Sequence, residues 1–244
     1  MGQSALNPPL RPRAVLFDAG NTLVQMDYAA IAEHLRGRGW SVTRARVEEA
    51  EMAARVRLDA DLASGASTES WDTHARYLRY VLEGLAITAA DEVEAIADWR
   101  RNYNRPIGLW NRADPNARAA LRRVKAAGLV AGVISNSNGT VQTLLEGIGL
   151  AGYLDFVIDS SVVGVEKPDS RIFRLALERA EVPATAAVYI GDLYSIDVLG
   201  ARRAGIDAVL LDPRGLKGPR DCRIARGIEH AVSICLGDRA MRGG

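Results

Sequence analysis

A short apolar run that stops on an aspartate constrains this chain most. Ala14-Val15-Leu16-Phe17 contains no polar residue, and Asp18 and the loop Ala19-Gly20-Asn21 follow at once. Four apolar residues bounded by a turn signal read as a strand covered on both faces. The same pattern returns later in the chain. Val130-Ala131-Gly132-Val133-Ile134 leads to Ser135, and Phe156-Val157-Ile158 leads to Asp159. Ala187-Val188-Tyr189-Ile190 leads to Gly191-Asp192, and Ala208-Val209-Leu210-Leu211 leads to Asp212. Between these runs, helical spacing occupies 115–127, 140–147, 170–180 and 195–204, and Gly128 and Gly205 sit where a glycine stops a helix. Fully apolar strands alternating with helices predict an α/β fold: a Rossmann-like parallel sheet with helices on both faces.

The alternation breaks between the first strand and the second. From Met26 to Arg105 the chain is rich in Ala, Glu and Arg, and Ile31, Leu35, Val47, Met52 and Val56 recur at roughly helical spacing. Thr43 and Thr68 are expected helix N-caps, and Thr88 opens a segment with Asp91 and Glu92 in its first turn. The pattern predicts about four helices and no strand. The expected organisation is therefore a core made of 13–25 and 106–244, an all-helical insert at 26–105, and a loose leader at 1–12. That leader contains Pro8, Pro9 and Pro12 and no apolar stretch of the kind a signal peptide needs.

Composition excludes several classes. The 244 residues are 48% hydrophobic and 25% charged, an ordinary globular balance. A formal charge of +1 gives no support for a nucleic-acid partner. No apolar run approaches the roughly 20 residues that span a bilayer, so no membrane segment is expected. Cys222 and Cys235 form no CxxC pair, which argues against a disulfide framework or a cysteine zinc site and for a cytoplasmic protein. A monomer or a homodimer is expected. Only Lys125, Lys167 and Lys217 are lysines among 31 basic residues, so the place of each carries information.

In open parallel sheets the site lies at the carboxyl ends of the strands. Asp18, Ser135-Asn136 and Asp192 gather there. Four segments in order then carry a resemblance: Phe17-Asp18-Ala19-Gly20-Asn21-Thr22-Leu23, Val133-Ile134-Ser135-Asn136, Gly164-Val165-Glu166-Lys167-Pro168-Asp169, and Ile190-Gly191-Asp192-Leu193-Tyr194-Ser195-Ile196-Asp197. With them the chain resembles the haloacid dehalogenase-like hydrolase superfamily, and the insert looks like the alpha-helical cap of one of its subfamilies. The resemblance covers about residues 13–24 and 107–215; nothing in the cap itself matches.

The resemblance implies a Mg²⁺-dependent phosphatase of small phosphorylated metabolites. Asp18 would be the nucleophile that forms an aspartyl-phosphate, a carboxylate strategy that splits one hard step into two. Asp18, the Gly20 carbonyl and Asp192 would hold Mg²⁺, which prefers oxygen ligands, with Asp197 holding metal-bound water or orienting the site. Ser135 would bond a phosphoryl oxygen, the Asn136 amide would add a donor near the next helix, and Lys167 would neutralise the transferring group. Both Ser135 and Asn136 also suit a plain helix-capping role.

One position departs from the family pattern. Its phosphatases usually carry a second aspartate two residues after the nucleophile, as general acid and base; here Gly20 stands there. Such catalysis typically contributes about 10² to 10⁴-fold. A good leaving group, a proton from elsewhere, or slow or absent turnover would each accommodate the glycine. A 2-haloacid dehalogenase and a non-catalytic phospholigand-binding module are the alternatives. The Gly191-Asp192 pair, which the dehalogenases lack, favours the metal-dependent phosphatase. The insert contains no lysine, which argues against the Schiff-base chemistry of the phosphonoacetaldehyde hydrolases. Asp169 reads as a helix N-cap, and His34, His74 and His230 as structural. Trp71, Trp99, Trp110 and Tyr103 read as packing residues. Of the insert's arginines, Arg55, Arg57, Arg76 or Arg79 is a candidate clamp for a carboxylate or second phosphate.

Overall fold

A computed structural model of the chain describes residues 10–103 and 108–238. The expected leader and the expected boundary at 105–106 lie largely outside those residues. Within them the apolar runs become parallel strands: β1 (Ala14–Phe17), then β4 (Val130–Ser135), β5 (Phe156–Asp159), β6 (Ala187–Gly191) and β7 (Asp207–Leu211), with β8 (Arg223–Ala225) beside β7. The order across the sheet is β5-β4-β1-β6-β7-β8, so β1 is central, with Phe17 opposite Val133 on one side and Ile190 on the other. This register aligns the strand ends and places Asp18 between Ser135 and Asp192.

Successive side chains on a strand point to opposite faces. Val15 and Phe17 therefore join Leu121, Val124, Val209 and Val232 in one apolar cluster, while Ala14 and Leu16 join Ile158, Phe173, Tyr189 and Leu210 in another. Helices α5 (Ala117–Ala126), α6 (Val141–Gly147) and α10 (Ile228–Leu236) supply the first face. Helices α8 (Ser170–Ala180) and α9 (Leu199–Arg203) supply the second, and a short α7 (Ser160–Val163) follows β5. Each fully buried Val, Leu, Ile or Phe contributes about 1.5–3 kcal/mol.

Between β1 and α5 stand four helices: α1 (Tyr28–Gly37), α2 (Arg44–Leu62), α3 (Trp71–Gly84) and α4 (Ala90–Tyr103). Ile31, Leu35, Val47, Leu58, Leu82 and Ile96 give them one apolar cluster of their own, which Ile196 enters from below β6. Thr43 caps α2, accepting from the Arg46 amide, and Asp91 and Glu92 lie in the first turn of α4. Thr68 is not a cap: Ser70 caps α3, accepting from the Thr73 amide. No helix of the described residues is long and apolar enough to cross a membrane.

Several elements escape the sequence reading. β2 (Val24–Met26) and β3 (Trp110–Ala113) pair antiparallel where the chain leaves for the helical unit and returns from it. The edge strand β8 and helix α10 complete the sheet. Strands of three or four residues that contain Gln25, Asn111 and Arg112 show no period to read. The helix expected at 195–204 is also different. A π-helical turn, Tyr194–Val198, precedes α9 and swings Asp197 under the β6 end. Single π turns of this kind recur at functional sites.

Candidate active site

The carboxyl ends of β1, β4 and β6 and the inner side of the four-helix unit enclose a cavity of about 250 Å³. Asp18, Gly20, Ser135, Asn136, Lys167, Asp192 and Asp197 all line it. The site residues read from the sequence are thus brought to one place.

Asp18 is held by its strand: its amide donates to the Ile190 carbonyl at 2.8 Å. Its Oδ1 accepts from Lys167 Nζ at 2.6 Å, and Lys167 Nζ also donates to Asp197 Oδ1 at 2.7 Å and to Tyr189 Oη at 2.9 Å. All three donors of the ammonium are used, and Lys167 is 3% exposed. Burial alone would lower its proton affinity, but Asp18 and Asp197 outweigh that and hold it above the ordinary lysine range. Burial pushes the Asp18 carboxyl up to about 7; Lys167 pulls against the rise, and Asp197 and Asp192 add to it. A cation beside Asp18 would favour its ionised form.

Asp197 has no oxygen to spare. Oδ1 accepts from Lys167 and, at 3.2 Å, from Tyr189; Oδ2 accepts from the Asp192 and Leu193 amides at 3.0 and 2.9 Å. It fixes the Asp192 loop and the lysine. Gly191 makes this possible, because a Cβ there would meet Asp197 Cγ at 2.4 Å. Asn136 is occupied in the same way. Its side chain accepts from the Lys167 amide at 2.7 Å and donates to the Lys167 carbonyl at 2.9 Å and to Thr68 Oγ1 at 2.8 Å. The Asn136 side chain therefore sets the lysine, and only its main-chain N–H is left for a ligand among the described residues. Ser135 Oγ makes one long bond, 3.3 Å to the Asn136 carbonyl.

Asp18, Asp192 and Asp197 offer carboxylate oxygens that all lie within 4.8 Å of one another, an all-oxygen donor set that suits a hard divalent cation. Asp18 Oδ2 and Asp192 Oδ1 accept no hydrogen bond from the described residues, which leaves one oxygen on each for such an ion.

Sequence reasoning did not place several neighbours. Arg55 crosses from α2 and pairs with Asp192 Oδ2 at 2.9 Å and with Glu51 Oε1 at 2.7 Å. Glu51 is fully buried and also accepts from Tyr28 Oη at 2.8 Å and from Tyr77 Oη. Asp59, one turn further along α2, accepts from the Ser195 amide at 2.8 Å. So α2 docks on the segment after β6 through one ion pair and one hydrogen-bonded carboxylate. Arg57 and Arg76 pair instead with Glu83 and Asp61 toward solvent. Arg100 on α4 does line the cavity, and Lys217 donates to the carbonyls of Asp192 and Leu211. Trp110 also lines the cavity, its Nε1 donating to Asn21 Oδ1 at 3.2 Å, while Trp99 stacks on His34 as packing. Asp169 is the N-cap of α8.

Burial, with Arg100 beside it, pushes the His74 imidazole down to about 4. An unfolded chain binds that proton near the ordinary histidine value of 6.5. Its contribution to stability is therefore fully present above about pH 6.5 and is lost as pH falls toward about 4. Partial exposure reduces this to roughly 1–2 kcal/mol. The difference in melting temperature between neutral and acid buffer should shrink in a His74→Gln variant; equal differences would show that the ring does not contribute.

Comparison with known proteins agrees with this geometry. The family model of the haloacid dehalogenase-like hydrolases matches residues 12–205. The human haloacid dehalogenase-like hydrolase domain-containing protein 3 is 28% identical over 214 residues, covering 83% of this chain and 82% of its own. A ribulose-1,5-bisphosphate 5-phosphatase of Halopiger xanaduensis is 31% identical over 213 residues, 82% of this chain and 84% of its own. Among solved structures, a 2-haloacid dehalogenase of Pseudomonas syringae pv. Tomato DC3000 superposes with a TM-score of 0.56 and 26% identity, covering 93% of this chain and 99% of that one. With a family match across most of its length and the aspartates and lysine of the four motifs gathered in one cavity, the chain belongs to the haloacid dehalogenase-like hydrolases.

Proposed function

We propose that the protein is a Mg²⁺-dependent phosphatase of small phosphorylated metabolites acting through an aspartyl-phosphate on Asp18, with the four-helix unit as its cap. The observation that carries this reading is the buried Asp18–Lys167–Asp197 cluster beside Asp192 at the floor of a cavity of about 250 Å³. The phosphatase name of the Halopiger relative supports it.

The chain's own residues divide the work. Lys167 holds Asp18 Oδ1, so the carboxylate keeps one orientation toward the phosphorus. Ser135 Oγ and the Asn136 N–H would donate to phosphoryl oxygens, and the Lys167 charge would offset the negative charge there. Attack by Asp18 forms the Asp18 O–P bond as the ester P–O bond breaks, expelling the leaving oxygen as an oxyanion that takes its proton from water; water then cleaves the aspartyl-phosphate, releasing phosphate and restoring the carboxylate. Asp197, Tyr189 and the Asn136 side chain position Lys167. Asp18, Asp192 and the Gly20 carbonyl would hold the Mg²⁺, with Asp197 behind them. Bound there, the ion would offset the repulsion between the carboxylates and the phosphoryl group.

Gly20 brings no acid to the leaving oxygen, so esters of good leaving groups should turn over fastest. The test is phosphate release from phosphorylated metabolites, an aryl phosphate and an acyl phosphate, with Mg²⁺ and with EDTA. Asp18→Asn should lower release at least about 10⁴-fold, as loss of a nucleophile does, and EDTA should stop it. Release that survives both, or halide release from 2-haloacids without metal, would overturn the reading.

A further inference from the structure

Arg100 sits in the cap wall of the same cavity and is 9% exposed. One Nη1 donates to the His74 carbonyl at 2.9 Å. Its Nε and Nη2 make no hydrogen bond among the described residues, and no carboxylate of those residues forms an ion pair with it. The other cations on the cavity wall differ. Lys167 is paired with Asp18 and Asp197, and Arg55 with Glu51 and Asp192. His74 is neutral near pH 7, because burial keeps its proton affinity low.

The idle donors of Arg100 lie on the cavity wall, and arginine keeps its charge there because it does not lose its proton. Burial disfavours the charge on Arg100, and Tyr77 and Glu69 only partly compensate. Glu69 also lines the cavity, but it is exposed and forms no ion pair with Arg100 among the described residues. Thr73 on the same wall is buried, and its hydroxyl is hydrogen-bonded to Ser70 Oγ at 2.8 Å. A fork of idle N–H groups next to a hydroxyl is built to receive two oxygens of one anion.

We propose that Arg100 anchors a second anionic group of the substrate, a carboxylate or a second phosphate, at the end away from the phosphoryl group. This rests on the phosphatase reading, and it assigns to Arg100 the clamp that the sequence placed among Arg55, Arg57, Arg76 and Arg79. The substrate is then a small phosphate ester with an anion at its far end. The anchor holds it by binding energy remote from the reacting centre.

Binding to the Asp18→Asn protein separates the anchor from turnover. Calorimetry with Mg²⁺ present would compare 3-phosphoglycerate, 1,3-propanediol bisphosphate and propyl phosphate. The first two should bind about 10- to 100-fold more tightly than propyl phosphate, the usual worth of charge-assisted bonds. Whichever leads tells a carboxylate from a phosphate. Adding Arg100→Gln should erase the advantage and leave propyl phosphate unchanged. Arg100→Lys keeps the charge without the fork and should retain only part of the advantage; it carries the test if the glutamine variant does not fold. An advantage that survives both substitutions, or its absence from the Asp18→Asn protein, overturns the proposal. Binding through Arg100 together with no phosphate release by the unmutated protein would overturn the phosphatase reading and leave the anion anchor standing.

Discussion

Gly20→Asp should raise the turnover of alkyl phosphates by about 10² to 10⁴-fold, the usual contribution of a positioned general acid and base. The backbone does not demand glycine here. Gly20 is not among the residues with positive φ, and a Cβ at this site would meet Trp110 Cδ1 and Nε1 at 3.8 Å and Asp18 Oδ2 at 4.0 Å, ordinary contact distances. The new carboxyl would stand beside the nucleophile, where a leaving oxygen departs. Its proton matters only when the departing alkoxide is basic. The gain should therefore be large for an alkyl ester and close to nil for an aryl phosphate, measured as kcat/KM on both. An equal gain on both, or none in a folded variant, would mean that proton supply does not limit this enzyme.

Lys167→Met should be as damaging as Gly20→Asp is beneficial. The methionine fills nearly the same volume but leaves Asp18 and Asp197, both buried, facing each other without the lysine between them. Removing one member of a buried ionic cluster typically costs about 3–5 kcal/mol, or roughly 6–20 °C of melting temperature in a chain of this size. Turnover should fall about 10²-fold or more as the phosphoryl group loses a charge partner. Adding Asp18→Asn should recover part of the lost stability, because the two residues interact directly. Strict additivity in urea melts would show that the 2.6 Å contact carries no coupling.

The core was legible because its strands are apolar from end to end and each stops on a polar residue. Asp18, Ser135 and Asp192 could be set side by side from that pattern alone, since parallel strands align their ends. Lys167 was legible through its rarity. The contribution of the four-helix unit was not. Arg55 reaches Asp192 across 137 positions, and no periodicity encodes a contact between two elements that far apart. A signal does exist in hindsight. Glu51, Arg55 and Asp59 follow one another at four-residue spacing beside the apolar stripe of Val47, Ala54 and Leu58. Charges repeating along a buried stripe need partners on another element. Tyr189 was hidden differently: within a fully buried strand its ring reads as core, and only the Lys167 contact shows that its hydroxyl matters. Asn136 reads as a ligand donor from its motif, while most of its side-chain capacity holds the lysine backbone.

The central claim is that a phosphoryl group is carried covalently by Asp18. Rapid acid quench during turnover of an aryl phosphate, followed by mass spectrometry of the peptides, tests it most directly. The account predicts one added phosphoryl mass on the peptide containing Asp18, dependent on Mg²⁺ and absent from Asp18→Asn. Turnover with that peptide unmodified at every quench time, or the added mass on a different residue, would contradict it.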